Sequence, residues 1–381
     1  MRIKERTIRL LALAYLFLPT AVFLVGMAKP SFALPCLLGA AAAFHFTQAS
    51  WRNDERVLDV PWRVLAFSAL VLLVWCVFGG QGGLVSQTKD WNYRNAVFHD
   101  LLDYPWPVRY VNLDAALCYY FGHWLVPAGI AKGLACLGCS ASALWRIGNV
   151  LLAIWTFIGV MLTALLLSTC VRRCRLSLLC AVGLLVFFGG MDCVGCLVRS
   201  PAWETVGNFL RLHRMDTWAA PEFEFSCPTT LLFWAFNQAV PAWVATLLLY
   251  QEESEENYGS ILAPLVIAGP FPFVGLGCLA GFASVARLIS KAREHRMMSF
   301  WKHVFSVQNV LSGLFVLSLP LLFLMTNSRS ESAVFCQMWD QYIQYQRTNK
   351  NYRHFRRIAI SACFCIIPSA SYGCLHSLFG I

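Results

Sequence analysis

A chain of 381 residues with 58% hydrophobic and only 13% charged side chains falls far below the roughly 25% charge of soluble domains, which excludes an ordinary soluble enzyme. Mean hydropathy is +0.58. Several apolar runs reach the roughly 17–25 residues that cross a hydrocarbon core about 30 Å thick, and they do not alternate, which excludes a transmembrane barrel. The net charge of +10 fits basic cytoplasmic loops and lipid headgroup contacts, and no basic-aromatic motif points to nucleic acid. The expected fold is therefore all-α, a polytopic helical membrane protein with about eight to ten spans in the plasma (inner) membrane. It is read as a single membrane domain over 1–381, with the lipid bilayer as its first partner.

In chain order, Arg2, Lys4, Arg6 and Arg9 precede the apolar run Leu10 to Met27. That run exceeds the roughly 7–15 residues of a signal-peptide core, so it is read as a retained first helix with its basic end inside. Further spans are expected at 31–47, 62–79, 143–170, 176–197, 229–250, 303–326 and 358–379. Arg172, Arg173 and Arg175, and later Arg287, Lys291, Arg293, Arg296 and Lys302, mark loops on the inner side. Loops 80–114 and 198–228 then share the outer face, provided that 115–138 re-enters or lies partly in the interface. That weaker segment carries His123, Pro127 and Lys132. Segment 260–286 has Gly269-Pro270-Phe271-Pro272-Phe273 at its centre. Its prolines predict either a hairpin of two half-spans or one kinked span.

Three other stretches are read as structural. Glu252, Glu253, Glu255 and Glu256 form an acidic turn, taken as a solvated loop. Residues 327–357 mix Trp339, Tyr342, Tyr345 and Tyr352 with Arg347, Lys350 and Arg353, a polar interfacial segment whose alternative reading is a site for an anionic lipid headgroup. Most of the 16 cysteines sit in apolar runs, where the thiol packs as a small hydrophobe. The pairs Cys136/Cys139 and Cys193/Cys196 are read the same way, with a metal or disulfide role as the alternative, and no metal site is assigned.

The densest group of ionisable residues outside the spans follows Gly79-Gly80-Gln81-Gly82-Gly83. A helix from Asp90 puts Trp91, Asn95, Phe98 and Leu102 on one side and His99, Asp100 and Asp103 largely on the other. The expectation is an amphipathic helix lying on the membrane, apolar face down, and ended by Pro105. Asp90 has two readings: a helix N-cap, or a surface carboxylate that accepts a proton from a sugar hydroxyl or holds a divalent cation. A second cluster lies in loop 198–228. There Arg199, Arg211 and Arg214 are of the type that holds phosphate in forked hydrogen bonds, while Asp216, Trp218 and Glu222 suit a sugar. The alternative is a solvated loop of internal ion pairs. Asp192, near the end of an apolar run, faces either a cavity or the water boundary. Asn237 and Gln238 interrupt span 229–250, either bonding a neighbouring helix or lining a substrate cavity.

The string Asp90-Trp91-Asn92-Tyr93-Arg94-Asn95 resembles, in compressed form, the first-loop acidic motif of GT-C-type glycosyltransferases, which use lipid-linked sugars. The catalytic subunits of oligosaccharyltransferase carry an Asp followed shortly by Asn-Tyr-Arg in that loop. The wider pattern over about 80–250 includes Tyr104-Pro105-Trp106-Pro107-Val108, Phe188-Gly189-Gly190-Met191-Asp192 and Asn237-Gln238-Ala239-Val240-Pro241-Ala242-Trp243. It is similar to GT-C-like membrane proteins of bacterial surface-polysaccharide systems. The resemblance implies that Asp90 is a general base or metal-contacting carboxylate and that the donor is a polyprenyl-phosphate-linked sugar. The acceptor would be a glycan or a lipid.

The expected function is glycosyl transfer on the outer membrane face. Asp90 serves as base, Asp192 or Asp216 orients the acceptor or a divalent cation, and Arg94 contributes to substrate binding. Two alternatives stand beside it. One is a transporter or flippase of a lipid-linked or anionic solute built on the broken 260–286 segment. The other is a polysaccharide polymerase.

Overall fold

The computed structural model describes residues 1–85, 87, 88, 90–110, 115–136, 138, 140–171, 176–189, 194, 195, 198 and 226–326. Of the described residues, 78% are helical and almost none are strand. In chain order the helices are α1 (Glu5–Met27), α2 (Pro30–Ser50), α3 (Trp62–Phe78), α4 (Trp91–Asp103), α5 (Gly122–Ala135), α6 (Ala141–Cys170), α7 (Ser177–Phe187), α8 (Pro228–Tyr250), α9 (Tyr258–Leu262), α10 (Leu265–Ala268), α11 (Pro270–Arg293), α12 (Met297–Val304) and α13 (Val307–Leu311). The chain continues from α13 through a π turn, Ser312–Leu317, into helix as far as Thr326. Two short antiparallel ladders clip loops: β1 (Arg2–Lys4) pairs with β2 (Val57–Asp59), and β3 (Arg109–Tyr110) with β4 (Ala115–Ala116).

Among the described residues, six helices are long and apolar enough to cross a membrane: α1, α2, α6, α8, α11 and the run Met297–Thr326. The protein is thus of the multi-pass membrane class. The shorter α3, with 17 residues, is equally apolar. Segment 176–197 enters the described structure only in part, mainly as α7, and 358–379 lies outside the described residues, as do 199–225 and 327–357.

The core forms where α1 meets α2, α5, α6 and α8. Tyr15 of α1 stacks on Trp155 of α6 at 4.3 Å, and Phe23 meets Phe323 edge-on at 5.3 Å. Gly159 permits this close approach, since a methyl there would collide with the Tyr15 hydroxyl and Val240. Small residues at helix contacts serve that purpose in membranes, where no hydrophobic drive separates protein from lipid.

Two segments enter the bundle from opposite ends and meet. From one end, the chain after Tyr104 descends until the Tyr120 carbonyl accepts from Asn237 Nδ2 (3.4 Å), halfway along α8. α5 then returns, and Lys132 near its end donates back to the Leu102 and Tyr104 carbonyls at 3.0 and 2.6 Å. From the other end, α9 and α10 run in and α11 runs out. Arg287 Nη1 donates to the Tyr258 hydroxyl at 2.8 Å, closing the base of this hairpin. Its tip, Gly269, lies against Gln238. Pro270 and Pro272 fall in the first turn of α11, where a missing N–H leaves no bond unmade. The tips touch at Gly122, where an added Cβ would lie 2.7 Å from the Ile267 carbonyl oxygen.

Two sequence expectations are corrected. The apolar face of α4 is not turned to lipid. Trp91, Phe98, Leu101 and Leu102 are buried against α5, α6 and α8. An amphipathic stripe reports only that one face is covered, not whether lipid or protein covers it. The acidic turn is not a solvated loop either. Glu252 and Glu255 are 7% and 1% exposed. Glu252 pairs with Arg9, and Trp51 Nε1 and Asn257 Nδ2 donate to it at 2.9 and 2.7 Å. Arg9 also reaches Asp54 (3.5 Å) and lies 4.2 Å over the Trp51 ring. Glu255 pairs with Arg287 at 3.4 Å. The partners lie on α1, the α2–α3 loop and α11, far apart in sequence.

Candidate functional site

The glycine loop before α4 sets the site. Gly80, Gly82 and Gly83 hold φ of 92°, 90° and 69°, values that a side chain strongly disfavours. The loop tucks the fully buried Gln81 inward, where Nε2 donates to the Leu232 carbonyl of α8 at 3.1 Å. Gln87 Nε2 donates to the Gly80 carbonyl (2.9 Å), and Asn95 Nδ2 donates to Gln87 Oε1 (2.8 Å). These bonds fix the start of α4 against the start of α8.

On that platform Trp91 stacks on Phe236 at 4.8 Å and 14°. One turn on, the Arg94 guanidinium lies 5.7 Å over the same ring, a cation–π contact. Arg94 is 6% exposed. Its Nη2 is 3.6 Å from Asp90 Oδ2, whereas Nε and Nη1, together with Trp91 Nε1, have no hydrogen-bond partner among the described residues. Burial lowers the Arg94 pKa, opposed by the Asp90 carboxylate and by Tyr119 and Tyr120; a guanidinium stays charged through such a shift. Buried donors without acceptors are unfavourable by about 1–3 kcal/mol each, more on a charged group.

Asp90 stands at the N-cap position, but its side chain makes no capping bond and its backbone is helical (φ −66°, ψ −20°). The cap reading therefore does not describe it. Its carboxylate is 51% exposed and leans on Arg94. A solvent-accessible carboxylate beside an under-coordinated cation can accept a proton from one bound group while the cation holds a phosphate. His99 and Asp103 pair with each other at 3.1 Å on the exposed side, and Asp100 accepts from Tyr110.

Of the remaining candidates, Asn237 and Gln238 sit where the two tips meet. Asn237 holds the Tyr120 carbonyl and Gln238 packs on Gly269, so both bind neighbouring segments. Asp192, Arg199, Arg211, Arg214, Asp216, Trp218 and Glu222 lie outside the described residues. No group of three or more His, Cys, Asp or Glu suited to a metal occurs among the described residues. Sequence reasoning missed Phe236, Gln81 and Gln87. Each is an ordinary residue type whose role arises only where α4 meets α8. It also missed a groove of about 790 Å³ between α1, α5 and α6, which Asp90 and Arg94 do not line.

No protein-family model, curated protein or solved structure matches this chain.

Proposed function

We propose that this protein is a plasma-membrane glycosyltransferase acting on the outer face, with a polyprenyl-phosphate-linked sugar as donor and a glycan or lipid as acceptor in surface-glycan synthesis. The observation that carries the reading is the Arg94 guanidinium: buried, with two nitrogens unpartnered among the described residues, and next to a half-exposed carboxylate. In the proposed mechanism Arg94 holds the donor phosphate by charge-assisted hydrogen bonds and bears the charge that develops on it as the sugar–phosphate bond breaks. Asp90 accepts the proton of the acceptor hydroxyl as that oxygen attacks the anomeric carbon from the opposite side, inverting the centre. Asp192, Asp216 and the arginines of loop 198–228 remain candidates for orienting acceptor and donor, with or without a divalent cation.

Asp90→Asn keeps shape and removes the base. Sugar transfer by the purified protein in nanodiscs should fall about 10²–10⁴-fold, the usual worth of general-base catalysis. Thermal stability should stay near that of wild type, because the side chain is half-exposed and caps nothing. Transfer at the wild-type rate by the Asn variant would overturn the assignment.

A second reading, transport of a lipid-linked or anionic solute, is favoured by one observation. The two tips meet beside Asn237 and Gln238 at mid-length of α8, and broken helices often line transport sites. Solute counterflow in proteoliposomes, without sugar transfer, would select this reading.

A further inference from the structure

The groove between α1, α5 and α6 is lined almost wholly by apolar side chains, among them Leu18, Val22, Ile130, Ile154 and Ile158. Ile130, Ile154 and Ile158 are 49%, 46% and 40% exposed, so the groove opens outward between helices rather than into the core. Its volume, about 790 Å³, is within the roughly 300–1,000 Å³ of sites that enclose a small-molecule-sized ligand. One charged residue lines it, Lys132. The ammonium is fixed: it donates to the Leu102 and Tyr104 carbonyls and lies 5.6 Å over the Trp106 ring, which also lines the groove. An ammonium has three N–H donors, so two are committed and one remains for an acceptor at the mouth. Trp beside Lys is also the pairing found at the level of lipid headgroups.

We infer that this groove is a binding site for an anionic phospholipid, one acyl chain laid along α1 and α6 and the headgroup phosphate on Lys132. Charge complementarity selects this occupant. A lipid without a phosphate or a second protein copy would fill the apolar floor but leave the remaining ammonium donor unused, and a zwitterionic phospholipid would bring its phosphate together with a cation that offsets the attraction. The site is separate from Asp90 and Arg94. At 1.5 Å per residue, α4 sets Leu102, which accepts from Lys132, about 18 Å from Asp90 and about 12 Å from Arg94. The inference therefore does not rest on glycosyl transfer.

The test uses the full-length protein in neutral detergent, with bound lipid counted by native mass spectrometry. Phosphatidylglycerol should be retained about fivefold more tightly than phosphatidylcholine, the factor expected from one basic residue facing an anionic lipid. Ile154→Trp, which fills the groove without touching Lys132, should abolish retention of both. Lys132→Gln should bring the two lipids to parity, and Lys132→Arg should preserve the preference. Parity in wild type, wild-type retention by Ile154→Trp, full competition by inorganic phosphate alone, or dimers formed through this face in place of lipid would each overturn the proposal.

Discussion

Two arginines sit in the same protein at nearly the same depth of burial, and they have opposite surroundings. Arg9 and Arg94 are 5% and 6% exposed. Arg9, near the start of α1, meets two carboxylates and a tryptophan face. Glu252, its closest partner, is satisfied in turn by Trp51 and Asn257. Arg94, over Phe236 near the middle of α8, has one carboxylate at 3.6 Å, the neighbouring Tyr119 and two nitrogens without a partner among the described residues. A buried charge is tolerated when it is paired and hydrogen-bonded. The Arg9 cluster comes closer to that condition, with two carboxylates on the guanidinium and only Nε of its nitrogens without a partner among the described residues, and so reads as architecture, joining α1, the α2–α3 loop, the α8–α9 turn and α11. The Arg94 cluster does not, and its deficit is of the kind that an anionic ligand makes good. The number of carboxylate partners, rather than residue type or burial, separates the Arg9 cluster from the one at Arg94.

Removing one partner from each cluster exposes the difference. Glu252→Ala should destabilise the protein by about 3–5 kcal/mol, because Arg9 would remain buried without its main carboxylate. Unfolding by denaturing detergent, followed by intrinsic fluorescence, measures this directly. A loss below about 1 kcal/mol, the worth of an exposed ion pair, would mean that the Arg9 cluster is not the structural one.

Arg94→Ala should behave in the opposite way. It removes a buried charge whose donors are partly unused, so stability should change by no more than about 1 kcal/mol. Transfer from the lipid-linked donor should fall roughly ten- to hundredfold, the loss of one charge-assisted interaction worth about 1.5–3 kcal/mol. If Arg94→Ala unfolds the protein as readily as Glu252→Ala, the contrast between the clusters fails.

How much of this was legible beforehand follows from the range of each signal. Helix α4 could be read from local spacing, from Asp90 to the stop at Pro105, because helical periodicity and proline act within a few residues. The pairing of Asp90 with Arg94 is also local, four residues apart. The break at Gly269-Pro270 was visible for the same reason, and the structure places it at the tip of a hairpin. What covers α4 was not visible, since the stripe Trp91, Phe98 and Leu102 suits lipid and protein equally. The burial of Glu252 was hidden more deeply. Its partner Arg9 is 243 positions away, and an acidic turn after a span looks solvated until the fold brings that arginine to it. The groove at Lys132 depends on the shape between three helices, which no local pattern encodes.

Acid provides the finest probe of the structural cluster. Arg56 Nε and Nη2 each donate to Asp54 at 2.7 Å, and this bonding, with the charge of Arg9, holds the Asp54 pKa below its ordinary value. A carboxyl whose folded pKa is depressed contributes stability that is fully present above the unfolded value, about 3.9, and is lost as pH falls through the lower folded value. The melting temperature of wild type should therefore decline below about pH 4, and Asp54→Asn should flatten that acid limb while lowering stability near neutrality. An acid limb left unchanged by Asp54→Asn would mean that this carboxylate does not tie the Arg9 cluster together.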